Sequence, residues 1–191
     1  GHSERVMEYS VGIARTLELS ADSIRQIRYA AILHDIGKIG ISDIIINKPE
    51  KLTDLEFNQI KRHTEIGYEI VDESGFLADI RDLIRYHHEK IDGSGYYGKS
   101  AGDYPWEAMI ISIADIYDAL TSGRPYRTAM EKVDALQALA SLVEVHFDTR
   151  IFEAFCEFLG VNADVLIQLD NNASYKENSR KAPLIRDERK G

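Results

Sequence analysis

Cysteine is almost absent: the 191 residues hold one, Cys156, so no internal disulfide framework can form. Its setting, Phe152-Glu153-Ala154-Phe155-Cys156, reads as core. Long apolar runs are missing too. None approaches the roughly 18 residues of a membrane span. The opening Gly1-His2-Ser3-Glu4-Arg5 has no apolar segment of the kind a signal peptide carries, so none is expected. Strict two-residue alternation over the length of a strand is scarce, which argues against a sheet. Positive charge is also short. The net charge is −9, and residues 171–191 carry six Lys/Arg against three Asp/Glu, or +3, which leaves −12 on residues 1–170. Such an acidic body excludes broad binding of a DNA or RNA polymer, which needs a basic stripe. These absences fit a cytoplasmic protein without a membrane span, in which a small anionic ligand would need local cations.

What is present is helix after helix. A composition of 44% hydrophobic and 29% charged residues suits one folded domain with a sizeable core. Apolar spacing predicts helices over about 3–18 and 22–38, with Ser20 as N-cap and Gly37 and Gly40 marking an end and a tight turn. Thr53-Asp54-Leu55-Glu56 is a capping box opening a helix to about Asp72. Further helices are expected at about 78–88, from Pro105 to about Thr121, at 131–145, at 149–159 and after Asn162. Gly93, Gly95, Gly98 and Gly102 make residues 90–104 a loop. The expectation is an all-α domain over 1–170, followed by a polar, basic and mobile tail over 171–191.

Five of the six histidines fall on apolar faces. His87 and His88 continue the series Ile80, Leu83, Ile84 at the spacing of one helical face. His63 follows Ile60 by three and precedes Gly67 by four, and His34 with Asp35 extends Ile24, Ile27, Ala31. His2 precedes Val6 by four, and Asp115 lies among Ile111, Ile113, Ala114, Ile116 and Ala119. A lone inward histidine is ordinarily a hydrogen-bonded core residue. Five, with two inward acids, exceed what an apolar core can satisfy, at roughly 1–3 kcal/mol for each bare polar group. A shared metal centre satisfies them together. His146 has no such support and reads as surface or cap, and Glu89 as a supporting or exposed residue rather than a ligand.

The ordered motifs resemble those of the HD superfamily of metal-dependent phosphohydrolases. They comprise His2, His34-Asp35-Ile36-Gly37-Lys38-Ile39-Gly40-Ile41, Lys48-Pro49, His63, His87-His88-Glu89, Asp92-Gly93-Ser94-Gly95-Tyr96, Asp115 and Arg124-Pro125-Tyr126-Arg127. Within it, the chain is similar to the HD-GYP cyclic di-GMP phosphodiesterases. The resemblance implies a helical bundle of about seven helices around a multinuclear metal centre. One metal would take His2, His34, Asp35 and Asp115; the second would share Asp35 and take His63, His87 and His88. Nitrogen and oxygen ligands without thiolate suit Fe or Mn, with Ni and Zn compatible. A third metal would need a glutamate preceding Gly1, and the start of the chain on the first ligand helix suggests a piece of a longer protein.

The resemblance further implies hydrolysis of cyclic di-GMP, or a related cyclic dinucleotide, to pGpG, GMP or both in bacterial second-messenger signalling. Asp35 and Lys38 would be catalytic, and Lys38, Tyr96, Arg124 and Arg127 would contact substrate. Asp118, one turn from Asp115, is expected to pair with one of these arginines. Two alternatives stand beside this reading: an HD phosphohydrolase acting on another nucleotide, and a silent cyclic-dinucleotide binding module. The pattern is altered in one loop, where Tyr97 replaces the proline after Gly95-Tyr96. Proline fixes φ, so this loop is expected to be less restrained. The change bears on substrate choice, on rate and on the signalling partner expected to dock through residues 93–104.

Overall fold

The computed structural model describes residues 1–123 and 128–171, the last four of these by backbone alone. Every regular element among them is helical: α1 (His2–Thr16), α2 (Ala21–Leu33), α3 (Asp43–Ile46), α4 (Asp54–Glu73), α5 (Arg81–Tyr86), α6 (Ala108–Thr121), α7 (Lys132–Ala140), α8 (Thr149–Phe158) and α9 (Ala163–Asn171), with 3-10 turns at Ile36–Gly40 and Ala78–Ile80. The all-α expectation holds, and the one-turn α3 and terminal α9 carry the number above seven. No helix of the described residues is long and apolar enough to cross a membrane.

Helix α6 is the axis. It is buried on all sides, Ile110, Ile111 and Ile113 being fully buried, and each such side chain contributes roughly 1.5–3 kcal/mol. Helix α1 packs against α2, α6 and α8, and α4 against α5 and the 3-10 turn after α2. Cys156 lies fully buried in this core, as expected. The capping box also forms: Glu56 N–H donates to Thr53 Oγ1 (3.3 Å) and Thr53 N–H to Glu56 Oε2 (2.8 Å).

The helix predicted over 78–88 is a 3-10 turn at Ala78–Ile80 followed by α5 at Arg81–Tyr86, and α2 and α7 are also shorter than their apolar spacing predicts. Helix α2 stops at Leu33 rather than Lys38, and the chain turns into the 3-10 segment Ile36–Gly40. The cause is tertiary. This segment lies so close to α4 that a Cβ on Gly37 would stand 1.9 Å from the His63 carbonyl oxygen and 2.5 Å from the Gly67 nitrogen. Helix α7 ends at Ala140 rather than 145, because Glu144 takes a positive φ of 60° and the chain folds back to bridge Val143 with Phe147.

That fold-back buries His146, correcting its reading as a surface or cap residue. The loop after α5 lies across it: Ile91 N–H donates to the His146 carbonyl (3.3 Å) and Asp92 N–H to that of Val145 (3.2 Å). The His146 Nδ1 finds no hydrogen-bond partner among the described residues. Burial pulls its imidazole down to about 4, Lys90 adding to the shift and Asp92 opposing it. An unfolded chain protonates this group near 6.5. Between the two values only the unfolded state binds the proton. The stability tied to neutral His146 is therefore fully present above about 6.5 and lost as pH falls toward 4, by roughly 3 kcal/mol in all. The urea midpoint is expected to drop between pH 6.5 and 4.5, and to drop less in His146→Gln; equal drops would remove His146 as the cause.

Candidate metal centre

Each ligand candidate is delivered by the end or the inner face of a helix. His2 opens α1, His34 and Asp35 follow α2, His63 lies in mid-α4, His87 and His88 follow α5, and Asp115 is on α6. Helices that end at the site can turn their last side chains inward while their apolar faces stay packed.

The imidazoles are aimed by backbone carbonyls. His34 Nδ1 lies 2.8 Å from Ala31 O, His63 Nδ1 2.7 Å from Ile60 O, and His87 Nδ1 2.7 Å from Ile84 O. A carbonyl only accepts, so each Nδ1 carries a hydrogen and Nε2 is the ring nitrogen left for the centre. All three of these Nε2 atoms are buried, and none finds a hydrogen-bond partner among the described residues. Three orphaned Nε2 atoms shared among overlapping groups of potential ligands fit cations, and nothing in an apolar core would satisfy them.

The converging atoms form overlapping groups. The ligand atoms of His63, His87 and His88 lie within 4.8 Å of one another, as do those of His2, His34 and Asp115, and those of His34, Asp35 and His87. Asp35 stands between the two outer groups. Its Oδ1 is 3.5 Å from His63 Nε2, while its Oδ2 is 3.4 Å from His34 Nε2 and 3.9 Å from His2 Nε2. Asp115 Oδ1 is 3.4 Å from His2 Nε2. One carboxylate with an oxygen toward each side is the arrangement of a bridge.

Electrostatics favour the ligating forms of four donors, Asp35, His63, His87 and His88. Burial, followed by the neighbouring imidazoles, pushes His87 and His88 well below the usual histidine range, and burial lowers His63. Burial alone would raise the Asp35 carboxyl, but His34, Lys38 and His63 reverse the sign and hold it ionised. His2 is backed differently: its Nδ1 lies 2.7 Å from Asp118 Oδ2, and Arg5 Nη2 donates to the same oxygen (3.0 Å). Asp118 is buried, and although burial raises its carboxyl, the bonds from Arg5 and His2 bring it below its ordinary value. Its partners among the described residues are Arg5 and His2, 113 and 116 residues away, contacts that no local pattern announces.

The remaining site candidates are placed as follows. Lys38 Nζ donates to Asp35 Oδ2 (2.8 Å), so the ammonium reaches the centre. The Tyr96 ring lies over His88, with centroids 4.5 Å apart and planes 31° apart. Arg124 and Arg127 lie outside the described residues. Glu89, missed as a structural tie, is 1% exposed. Its Oε1 accepts from the Tyr97 N–H and its Oε2 from the Lys99 N–H, both at 2.7 Å. The expectation of a looser loop is therefore overturned. Tyr97 supplies an N–H that proline lacks, and its hydroxyl shares a 2.7 Å hydrogen bond with Thr64 Oγ1.

A helical bundle that gathers five histidines and two aspartates from five of its helices has the donor set of a divalent-metal site. The chain belongs to the HD domain family, whose model matches residues 1–151. It is 38% identical over 162 residues to a cyclic di-GMP phosphodiesterase of Pseudomonas aeruginosa, covering 84% of this chain and 39% of the relative. It is 36% identical over 174 residues to a 3'3'-cGAMP-specific phosphodiesterase of Vibrio cholerae, covering 91% of this chain and 38% of the relative. The chain thus spans about two fifths of the length of these curated relatives. An HDG"Y"P protein from Bdellovibrio bacteriovorus shares the fold, with a TM-score of 0.68 at 22% identity over 83% of this chain and 51% of that one.

Proposed function

We propose that residues 1–170 are the hydrolytic domain of a cyclic dinucleotide phosphodiesterase, opening cyclic di-GMP or a close analogue to pGpG, GMP or both. The observation that carries this reading is the three orphaned Nε2 atoms of His34, His63 and His87 meeting at a carboxylate, Asp35, that faces both ligand groups. His2, His34, Asp35 and Asp115 would hold one divalent ion, and Asp35, His63, His87 and His88 a second. Iron or manganese is favoured, with nickel and zinc compatible with the same donors. Two such ions, when bound, supply Lewis acidity that lowers the pKa of a water and neutralises phosphate charge.

The chain's own groups do the rest. Lys38, beside Asp35, is placed to exchange that carboxylate for a non-bridging phosphate oxygen as a point charge. The Tyr96 ring, which lies over His88 with Lys61 Nζ 5.1 Å from its centroid, is proposed to contact a base at the edge of the centre. Arg124 and Arg127 are proposed to fork onto phosphate or a guanine edge. The loop 93–104 is proposed as a docking surface for a signalling partner and the cytoplasm as the compartment; of the expected tail over 171–191, Asn171 ends α9 and residues 172–191 lie outside the described residues.

A second reading, favoured by the relative specific for 3'3'-cGAMP, keeps the reaction and changes one base. Turnover on a panel of cyclic di-GMP, 3'3'-cGAMP, cyclic di-AMP, mononucleotides and a guanosine alarmone separates the readings. Cleavage confined to cyclic dinucleotides is expected, and chelation should stop it. Cleavage of the mononucleotides or the alarmone alone would replace the proposal with a different phosphohydrolase. Tight binding of cyclic di-GMP without cleavage by metal-loaded protein would replace it with a binding module.

A further inference from the structure

Glu89 follows the ligand His88 directly, yet its carboxylate faces away along the chain. Each of its oxygens takes one backbone N–H, from Tyr97 and from Lys99, at 2.7 Å. A buried carboxylate holding two amides is a charge-assisted tie, about twice as strong as a neutral hydrogen bond. The loop is also pressed onto this residue: a Cβ on Gly95 would stand 2.5 Å from Glu89 Cα and 2.7 Å from Glu89 Oε1. Tyr97 is anchored at its far end as well, by the Thr64 hydroxyl (2.7 Å) and by Glu65 Oε2 (3.1 Å), with the Arg85 guanidinium 5.3 Å from its ring centroid. Tyr96 lies between the Gly95 contact and the Tyr97 bond. Its ring lies over His88, edge-on to Phe57 and with Lys61 Nζ 5.1 Å from its centroid.

We propose that Glu89 and the Tyr97 amide form a latch that positions the Tyr96 ring for the base of a bound cyclic dinucleotide. Glu89 and Tyr97 are positioning residues that act through Tyr96, and the step toward substrate rests on the phosphodiesterase reading above. A proline at position 97 would leave Glu89 Oε1 without its donor and would remove the phenol anchor. The tyrosine found here holds the loop by hydrogen bonding in place of a fixed φ.

The test compares Tyr97→Pro with Tyr97→Phe, which keeps the N–H, each with and without Tyr96→Ala. The readouts are metal content, KM and kcat for cyclic di-GMP, and hydrogen exchange at the Lys99 amide. Tyr97→Pro is expected to raise KM about tenfold, with metal content unchanged and kcat within about threefold, while Tyr97→Phe stays within about twofold of the parent. Tyr96→Ala should weaken the parent several-fold and add little in the Tyr97→Pro background. An unchanged KM in Tyr97→Pro, or the same factor for Tyr96→Ala in both backgrounds, overturns the latch. If Tyr97→Pro does not fold, Glu89→Gln carries the same expectation, because one of the two amides then faces an NH2 group. If the parent cleaves no cyclic dinucleotide, the phosphodiesterase reading fails separately. Exchange at Lys99 then decides for the latch: slow in the parent and fast in Tyr97→Pro upholds it, and equal rates overturn it.

Discussion

Asp35→Asn is expected to strip the protein of bound metal and to lower turnover by on the order of a thousandfold. The substitution keeps the size of the side chain and replaces one oxygen with an NH2 group. That group would face either the His63 side or the His34 and His2 side, since the native oxygens stand 3.5 Å from His63 Nε2 and 3.4 Å from His34 Nε2. A donor pointed into a cation site cannot ligate, and the negative charge that faces His34, Lys38 and His63 is lost with it. Metal content by elemental analysis and turnover on cyclic di-GMP report the two losses independently. Full metal and activity in this variant would remove Asp35 as the shared ligand. Retained metal with lost turnover would make Asp35 a substrate or proton contact instead.

Gly37→Ala is expected to be the most damaging small change in the chain. The added methyl would meet the His63 carbonyl oxygen at 1.9 Å and the Gly67 nitrogen at 2.5 Å, both backbone atoms of α4 that no side-chain rotation can clear. The 3-10 turn must move off α4, carrying Asp35 and Lys38 away from His63. Overpacking of a tight interior costs roughly 1–3 kcal/mol when side chains can yield, and backbone contact sets the upper end. The account therefore predicts a lower urea midpoint together with loss of metal. Gly75→Ala is the control for strain without crowding, because Gly75 has a φ of +65° but no atom within 4 Å of an added Cβ. It should lower the midpoint modestly and keep metal. Equal effects of the two changes would show that close approach to α4 is not what Gly37 provides.

Gly37 also marks where the sequence stops being legible. The inward direction of His63, His87 and His88 follows from the spacing of Ile60, Ile80, Leu83 and Ile84, because helical period and burial are local properties. The early end of α2 is set instead by a segment some thirty residues further on, with which Gly37 must fit backbone to backbone. The support of His2 by Asp118 likewise spans 116 residues, which no local spacing announces. Tyr97 was read by what it replaces. Its effect depends on its own N–H meeting a buried carboxylate, Glu89, which the pattern left as supporting or exposed. His146 has no apolar series of its own in the sequence and so reads as surface or cap; the turn at Glu144 buries it.

The most direct test of the central claim is the metal stoichiometry of protein purified without oxygen and loaded with iron(II) or manganese(II), measured alongside release of pGpG or GMP from cyclic di-GMP. The account predicts two ions per chain and product formed in proportion to metal loading. Protein that folds, holds no divalent ion and leaves cyclic di-GMP intact would contradict it.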